Sequence, residues 1–305
     1  MAGISESDIG KRVTIRLHDN PGFRDIVGHL ISKNSLKNRR GEIVQFDPSQ
    51  IFIWREIEDV PRSATSGAPL SIRVNQLERI ANETWKAKEE VQIGDWLLRA
   101  DVGVTRRANS ALVLGHGNHI DEVISWYRVR QLNPTISLVP SLHQEIDLEL
   151  ERRGFEKLLD MDVMVKEGDK SEANFEYLVD EKPDQSWLAI HGDQPIEPLL
   201  IRSESKYLKI IESGALIAIG RTSFRDQWAV ISRIWVAENQ RGKGIGRKML
   251  HALEAESGDR KLALQVATTN SAAISLYKSA GYSLHHTGRF RALPQQINLS
   301  LDCQC

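Results

Sequence analysis

Apolar and polar residues alternate in short runs through the first sixty positions and then give way to longer helical periods. Val13 to Leu17, Ile26 to Ser32, Gly41 to Phe46 and Ile51 to Arg55 read as short strands, parted by turn residues such as those from Asp19 to Gly22. Four or five strands in so few residues predict a small all-β barrel over residues 1–59. Pro61, Ser63, Ser66, Gly67 and Pro69 then mark residues 60–71 as a linker. Beyond it the period changes. Helices are expected over Asn75 to Lys88, Ile120 to Gln131 and from His143 to the stop at Gly154, with strands at Asp95 to Arg99, Ala111 to Leu114 and Ile136 to Val139. Further on, the apolar positions Ile231, Ile234 and Val236 read as a strand, Met249, Leu250 and Leu253 as a helix, Leu262 to Val266 as a strand, and Ser271 to Ala280 as a helix stopped by Gly281.

The chain also repeats itself faintly. The run ELERRGFEKLLDMDVMV, Glu149 to Val165, and the run LYKSAGYSLHHTGRFRA, Leu276 to Ala292, each pass from an amphipathic helix through Gly-aromatic into a strand. Residues 72–168 and 169–305 therefore read as two related halves of α/β character. Composition adds exclusions. A formal charge of −1 and an isoelectric point near 6.8 give no global field to attract nucleic acid or an anionic membrane. The sequence shows neither an apolar run of spanning length nor a signal-peptide pattern at its start, so a cytoplasmic protein is expected. Cys303 and Cys305, one residue apart, are poorly placed for an ordinary disulfide and suit a reducing compartment. Arg39 and Arg40, with Lys33 and Lys37, form a basic hairpin that reads as a solvated turn.

The chemistry concentrates in ENQRGKGIGRKML, Glu238 to Leu250. Gly242, Gly244 and Gly246 leave their amides uncovered and can take positive φ, while Arg241, Lys243 and Arg247 add positive charge. A strand, a glycine loop and a helix N-terminus in that order make an anion site. The spacing is not that of a P-loop, because no Ser or Thr follows Lys243. It is not a dinucleotide fingerprint either, because Arg247 occupies the third glycine position.

What the loop does spell, through Arg241, Gly244 and Gly246, is R-x-x-G-x-G, which resembles the pyrophosphate loop of the GNAT superfamily of acyl-CoA-dependent N-acyltransferases. Downstream, Asn270, Ala273, Leu276, Tyr277, Gly281 and Tyr282 match the N-x-x-A-x-x-L-Y-x-x-x-G-[FY] segment of the same superfamily, and the resemblance covers about residues 200 to 292. It implies a GNAT fold, a mixed central sheet flanked by helices, in the catalytic half 169–305. The half 72–168 has only Gly115-His116-Gly117 where the loop would be, and so reads as a degenerate GNAT-like half that binds no CoA and walls the acceptor cleft or supports the other half. Arg106, Arg107 and Asn109 read either as lining that cleft or as a structural turn. The N-terminal strands resemble a Src-homology-3 or Tudor barrel, as in some actinobacterial GNAT proteins.

The resemblance further implies roles for single residues. Ile234 and Val236 would offer backbone groups to the pantetheine arm of acetyl-CoA, and the amides of Arg241, Gly242, Lys243, Gly244, Ile245, Gly246 and Arg247 would take the pyrophosphate. Asn270 and Ala273 would meet the pantetheine, and Tyr277 would lie by the thioester sulfur as the acid. Structural readings stand beside these: Asn270 as an N-cap, Tyr277 as a packing residue, Lys243 and Arg247 as solvated charges. The expected reaction is direct transfer from acetyl-CoA to an amine, of a small molecule or a protein, without metal; the alternative is a non-catalytic acetyl-CoA sensor whose barrel contacts a protein or nucleic acid. A lysine-like ammonium must first lose a proton, at roughly 4 to 5 kcal/mol at pH 7. No Asp or Glu lies between Gln227 and Val236 to take it. Period-two counting sets Ser232 on the face of Ile234 and Val236, where it could hold a water. His285 and His286, adjacent on a strand, should face opposite sides, so at most one points into the site.

Overall fold

The computed structural model describes residues 4–19, 22–38, 42–57, 70–169, 172–192 and 194–294, with backbone alone at 70–72. Arg39, Arg40, Cys303, Cys305 and most of the expected linker lie outside the described residues. The chain forms two compact units, Met1–Ser66 and Gly67–Cys305.

The first unit is a five-stranded antiparallel sheet: β1 (Arg12–His18), β2 (Phe23–Ser32), β3 (Ser35–Lys37), β4 (Ile43–Gln45) and β5 (Ile51–Glu56), in the order β4-β3-β2-β1-β5. Alternation buries Val13, Ile15 and Leu17 of β1 against Ile26, Leu30 and Leu36. A 3₁₀ turn at Pro48–Gln50, capped by the Asp47 side chain on the Ser49 amide, feeds β5. This is the small barrel-like unit expected, with β3 as an addition. Three residues containing Ser and Lys carry too little alternation to announce a strand.

The second unit is built on one eleven-stranded sheet. Its elements run α1 (Leu70–Glu83), β6 (Glu89–Ile93), β7 (Trp96–Ala100), β8 (Ala111–Val113), α2 (Ile120–Val129), β9 (Thr135–Leu138), α3 (Gln144–Arg152) and β10 (Glu156–Lys166). They continue with β11 (Leu178–Asp180), α4 (Gln185–Leu188), α5 (Glu197–Leu200), β12 (Ser205–Glu212), β13 (Ala215–Arg225), β14 (Trp228–Val236), α6 (Ile245–Ser257), β15 (Lys261–Ala267), α7 (Ser271–Ser279) and β16 (Ser283–Ala292). The sheet is mixed: β8 and β9 are parallel, as are β14 and β15, and the other pairings are antiparallel. Helices cover it. Ile245, Met249, Leu250 and Leu253 seat α6 on the core with Leu208, Ala218 and Leu264, while Val74, Leu77, Ile80 and Ala81 are the buried stripe of α1.

The internal repeat is visible as structure. β8-α2-β9-α3-β10 and β14-α6-β15-α7-β16 follow the same order, each with one parallel pair. The strand order β11-β12-β13-β14-β15-β10-β16-β9-β8-β7-β6 shows an exchange. β10, which ends the first repeat, pairs with β15 of the second; β16, which ends the second, pairs with β9 of the first. The expected mixed α/β sheet is thus one continuous sheet whose two repeats trade their last strands.

Candidate active site

Two strands part at the centre of the sheet. β14 and β15 are paired in parallel from Trp228 with Lys261 to Ile231 with Leu264, and from Ser232 and Gln265 onward they are no longer bonded to each other. The cause lies in β14. Ile219 and Arg221 of β13, two positions apart, oppose Trp235 and Ser232, three positions apart, so β14 carries an extra residue there. Arg233 absorbs it with φ 58°, a left-handed backbone that a non-glycine residue adopts at a cost.

The bulge corrects the expectation for Ser232. Cross-strand partners share a face, so Ser232 lies with Arg221 and Trp235, while Val236 lies with Ala218 on the other side. Ile234 and Val236 pack on the core beneath α6 and α7, and Trp235 on the opposite cluster with Trp85 and Ile219. The Ser232 hydroxyl accepts from the Arg221 guanidinium at 3.4 Å.

The loop after β14 carries positive φ at Gly242 (77°) and Gly244 (81°), where no atom crowds a would-be Cβ; glycine is needed there for backbone freedom and not for space. Gly244 is the N-cap of α6 and offers no side chain to the helix. The amides at the start of α6 have no partner within the helix, and those of Gly242, Lys243 and Gly244 meet no backbone acceptor among the described residues. Uncovered amides beside a helix N-terminus fit a phosphate group. Arg241 Nε donates to the Val236 carbonyl at 3.3 Å, Lys243 Nζ to Gln240 Oε1 at 3.2 Å, and Arg247 to the Ser279 hydroxyl, which ties α6 to α7. Ile245 is buried, and Glu238 points to solvent.

On α7 the Asn270 side chain accepts from the Ala273 amide at 3.1 Å, a true N-cap. Ala273, Leu276 and Tyr277 pack with Ile234 and Val236. A Cβ at Gly246 would stand 3.5 Å from Leu276 and 3.8 Å from Val236, so the end of β14, the head of α6 and α7 converge at one point. Burial raises the Tyr277 phenol above its ordinary value, and its ring lies 5.9 Å from that of Tyr282.

At the splay a cavity of about 380 Å³ opens, lined by Trp85, Arg107, Met161, Ser232, Arg233 and Gln265 with Arg106 and Phe290. Residues of both halves build it. Arg106 and Arg107 line it, whereas Asn109 is a structural residue, accepting from the Asp101 amide and donating to the Thr105 carbonyl, both at 2.8 Å. Local sequence gave no sign of Trp85 or Arg233: the first follows a helix end, and the second is aimed by a bulge that strict alternation does not foresee. Burial lowers Arg107 to about 10 against the pull of Glu78, with Arg99, Arg233 and Arg221 adding repulsion. Arg233 also falls to about 10, through burial and then the Arg221 charge.

A smaller adjoining cavity is lined by Glu78 together with Arg107, Met161 and Gln265. Here α1 supplies the carboxylate that the neighbourhood of β14 lacks. Burial works against the Glu78 anion, but the hydrogen bond and charge of His286, with Arg107 and Arg99, hold it below its ordinary value. His286 Nε2 is 2.8 Å from Glu78 Oε1, and its Nδ1 is 2.8 Å from His285 Nδ1. The two rings touch instead of facing apart. The reason is a register shift, His286 opposing Val163 while Leu284 opposes Met164, which makes His285 an extra residue.

A strand splayed from its parallel neighbour, followed by an uncovered-amide loop and helix, defines the acyl-CoA-dependent N-acyltransferase class. The chain belongs to the family described as the C-terminal part of the probable histone acetyltransferase Rv0428c, whose profile matches residues 71–291. It is 30% identical to that Mycobacterium tuberculosis protein over 313 residues, covering 96% of this chain and 97% of the relative. It is 28% identical to the N-acetyltransferase YobR of Bacillus subtilis over 235 residues, 69% of this chain and 94% of YobR. In fold it is similar to a GCN5-related N-acetyltransferase from Kribbella flavida, with TM-score 0.57 and 12% identity over 75% of this chain and 96% of that one. The chain is a GNAT N-acetyltransferase. Among the described residues no helix is long and apolar enough to cross a membrane.

Proposed function

We propose that the chain moves an acetyl group from acetyl-CoA directly to a primary amine in a ternary complex, in the cytoplasm. The observation that carries this reading is the uncovered amide loop from Gly242 to Arg247 at the open end of the β14–β15 splay. These amides take the pyrophosphate, the backbone at Ile234 and Val236 takes the pantetheine, and Asn270 and Ala273 bound its far side. The amine nitrogen attacks the thioester carbonyl, the carbon–sulfur bond breaks, and the ammonium proton leaves by water toward the Glu78–His286 pair. Tyr277, raised by burial, keeps its proton through neutral pH and donates to the departing sulfur, regaining a proton from solvent. The half 72–168 serves as a wall of the acceptor cleft and binds no CoA.

The test is thiol release over a panel of amines beside calorimetry with CoA and acetyl-CoA. We expect one CoA site per chain and amine-dependent turnover. Tyr277→Phe should lower kcat by about 100-fold while CoA affinity stays within about twofold. One observation favours a second reading as an acetyl-CoA sensor: among the described residues no carboxylate lines the cavity at the splay. CoA binding with no turnover on any amine would select it.

A further inference from the structure

We propose that the acceptor is a small amine that also carries an oxyanion, a carboxylate or a phosphate, held by Arg107 and Arg233 in the cleft at the β14–β15 splay. This rests on the acyltransferase reading above and specifies its acceptor.

Charge balance comes first. Trp85 stands at the centre of an arginine cluster: the guanidinium carbons of Arg107, Arg221 and Arg233 lie 5.6, 5.1 and 5.1 Å from its ring centroid. Arg99 repels Arg107 from behind. None of the four forms an ion pair with a carboxylate among the described residues. Arg221 and Arg99 are nearly fully buried and spend their donors on neutral groups, Arg221 on the Thr84 and Leu200 carbonyls and serine hydroxyls, Arg99 on Ser110 and Asn82. Glu78, already bonded to His286, pulls on Arg107 and Arg99, and Glu90 acts on Arg99 alone. Four desolvated cations that outnumber the carboxylates near them, with no ion pair among the described residues, are costly to fold. Arginine forks match the geometry of carboxylate and phosphate oxygens.

Two further observations place the ligand. Arg233 Nε is buried without a hydrogen-bond partner, on a side chain that lines the cavity. The same residue holds the strained bulge backbone that aims it there. Arg107 bonds the Gln265 side-chain oxygen through NH2 only, and Arg106 stands exposed at the rim. A cavity of about 380 Å³ suits a molecule of amino-acid or dipeptide size. The same charges repel the lysine-rich tail of a basic protein, because the neighbouring ammonium groups would meet guanidiniums that outnumber the carboxylates beside them.

The experiment uses the full chain with three arms. The first compares turnover on matched amines: amino acids against their primary amides, phosphoethanolamine against ethanolamine, and a basic histone-tail peptide. The second follows thermal unfolding with malonate or inorganic phosphate as the anion probe. The third measures acetyl-CoA affinity by calorimetry. Each is run on the natural chain and on Arg233→Gln, Arg107→Gln and Arg106→Gln, the last an exposed change that leaves folding alone. We expect the oxyanion-bearing amines to be preferred by at least about 10-fold in kcat/KM, and Arg233→Gln to raise their KM by about 10- to 100-fold. Malonate or phosphate should raise the melting temperature of the natural chain and not that of Arg233→Gln, whose ligand-free form should melt no lower. The carboxylate and phosphate pairs tell which oxyanion is read. Preference for neutral amines or the basic peptide overturns the proposal, as does an equal response of the natural and Arg233→Gln chains to both anions. Weakened acetyl-CoA binding in Arg233→Gln with unchanged acceptor KM also overturns it, by assigning the cluster to CoA. Failure of the natural chain to bind CoA instead sinks the acyltransferase reading, and the anion arm still decides the arginine site.

Discussion

Positive φ at Gly244 and helical φ at Gly246 make two glycines of one loop respond differently to the same substitution. Gly244 stands at 81° with open space around it, so an alanine there is strained by backbone alone, at roughly 1 to 2 kcal/mol. Gly246 lies inside α6, and a methyl group would sit in ordinary contact with Leu276 and Val236. Gly244→Ala should therefore lower the denaturation midpoint, whereas Gly246→Ala should leave it unchanged or raise it slightly, since alanine is the better helix former. On the proposed CoA site both should weaken binding, Gly244→Ala by disturbing the loop and Gly246→Ala by placing a methyl group where the backbone is proposed to approach a phosphate. Denaturant melts and calorimetry on the pair separate the two effects. Both glycines were legible in the sequence because their spacing is local. Arg233 was not, because its importance comes from a bulge that sets two residues of β14, Arg233 and Ile234, opposite Gly220 of β13.

Elements were legible in kind more than in extent. The helix expected over Asn75 to Lys88 runs instead over Leu70–Glu83. It ends where Thr84 bonds back to the Ile80 and Ala81 carbonyls and where the Thr84 carbonyl accepts from Arg221, a partner 137 residues away. Register between distant strands has the same origin. β16 is fixed to the first repeat by Arg289 and Arg291, which share Asp147 of α3 at 2.8 and 2.6 Å, while Arg289 also meets Asp160 of β10 at 2.9 Å. Breaking a largely buried pair strands the surviving charges, so Asp147→Ala should cost about 3 kcal/mol in a denaturant titration. The network also has a pH signature. The Arg289 hydrogen bond holds the Asp160 carboxyl below its ordinary value, with burial opposing and Lys157 assisting. Its stabilisation is complete above the unfolded carboxyl value near 4 and is lost as pH falls through the lower folded value. Asp160→Asn should flatten the acid limb of the stability profile, which a pH series of melts would show.

At the scale of the whole molecule, the exchange of β10 and β16 turns two repeats into one cooperative body. The repeat itself could be read from two Gly-aromatic junctions, but no local pattern says which neighbour a strand will choose. Here β15, which forms the open wall of the splay, gains six residue pairings from β10 on its other flank. Without β10, β15 keeps the four parallel pairings to β14 and exposes a central apolar edge bearing Leu262, Leu264 and Val266. A fragment of residues 169–305, though it contains every position proposed to bind CoA, should therefore fail to fold as a monomer. Circular dichroism and calorimetry would show it lacking a cooperative melt and heat with acetyl-CoA. Supplying residues 67–168 in trans should restore both, because the missing partner strand is then present. A fragment that bound acetyl-CoA alone would mean that β16 can turn back to fill the place of β10, and that the shared sheet is dispensable for the site.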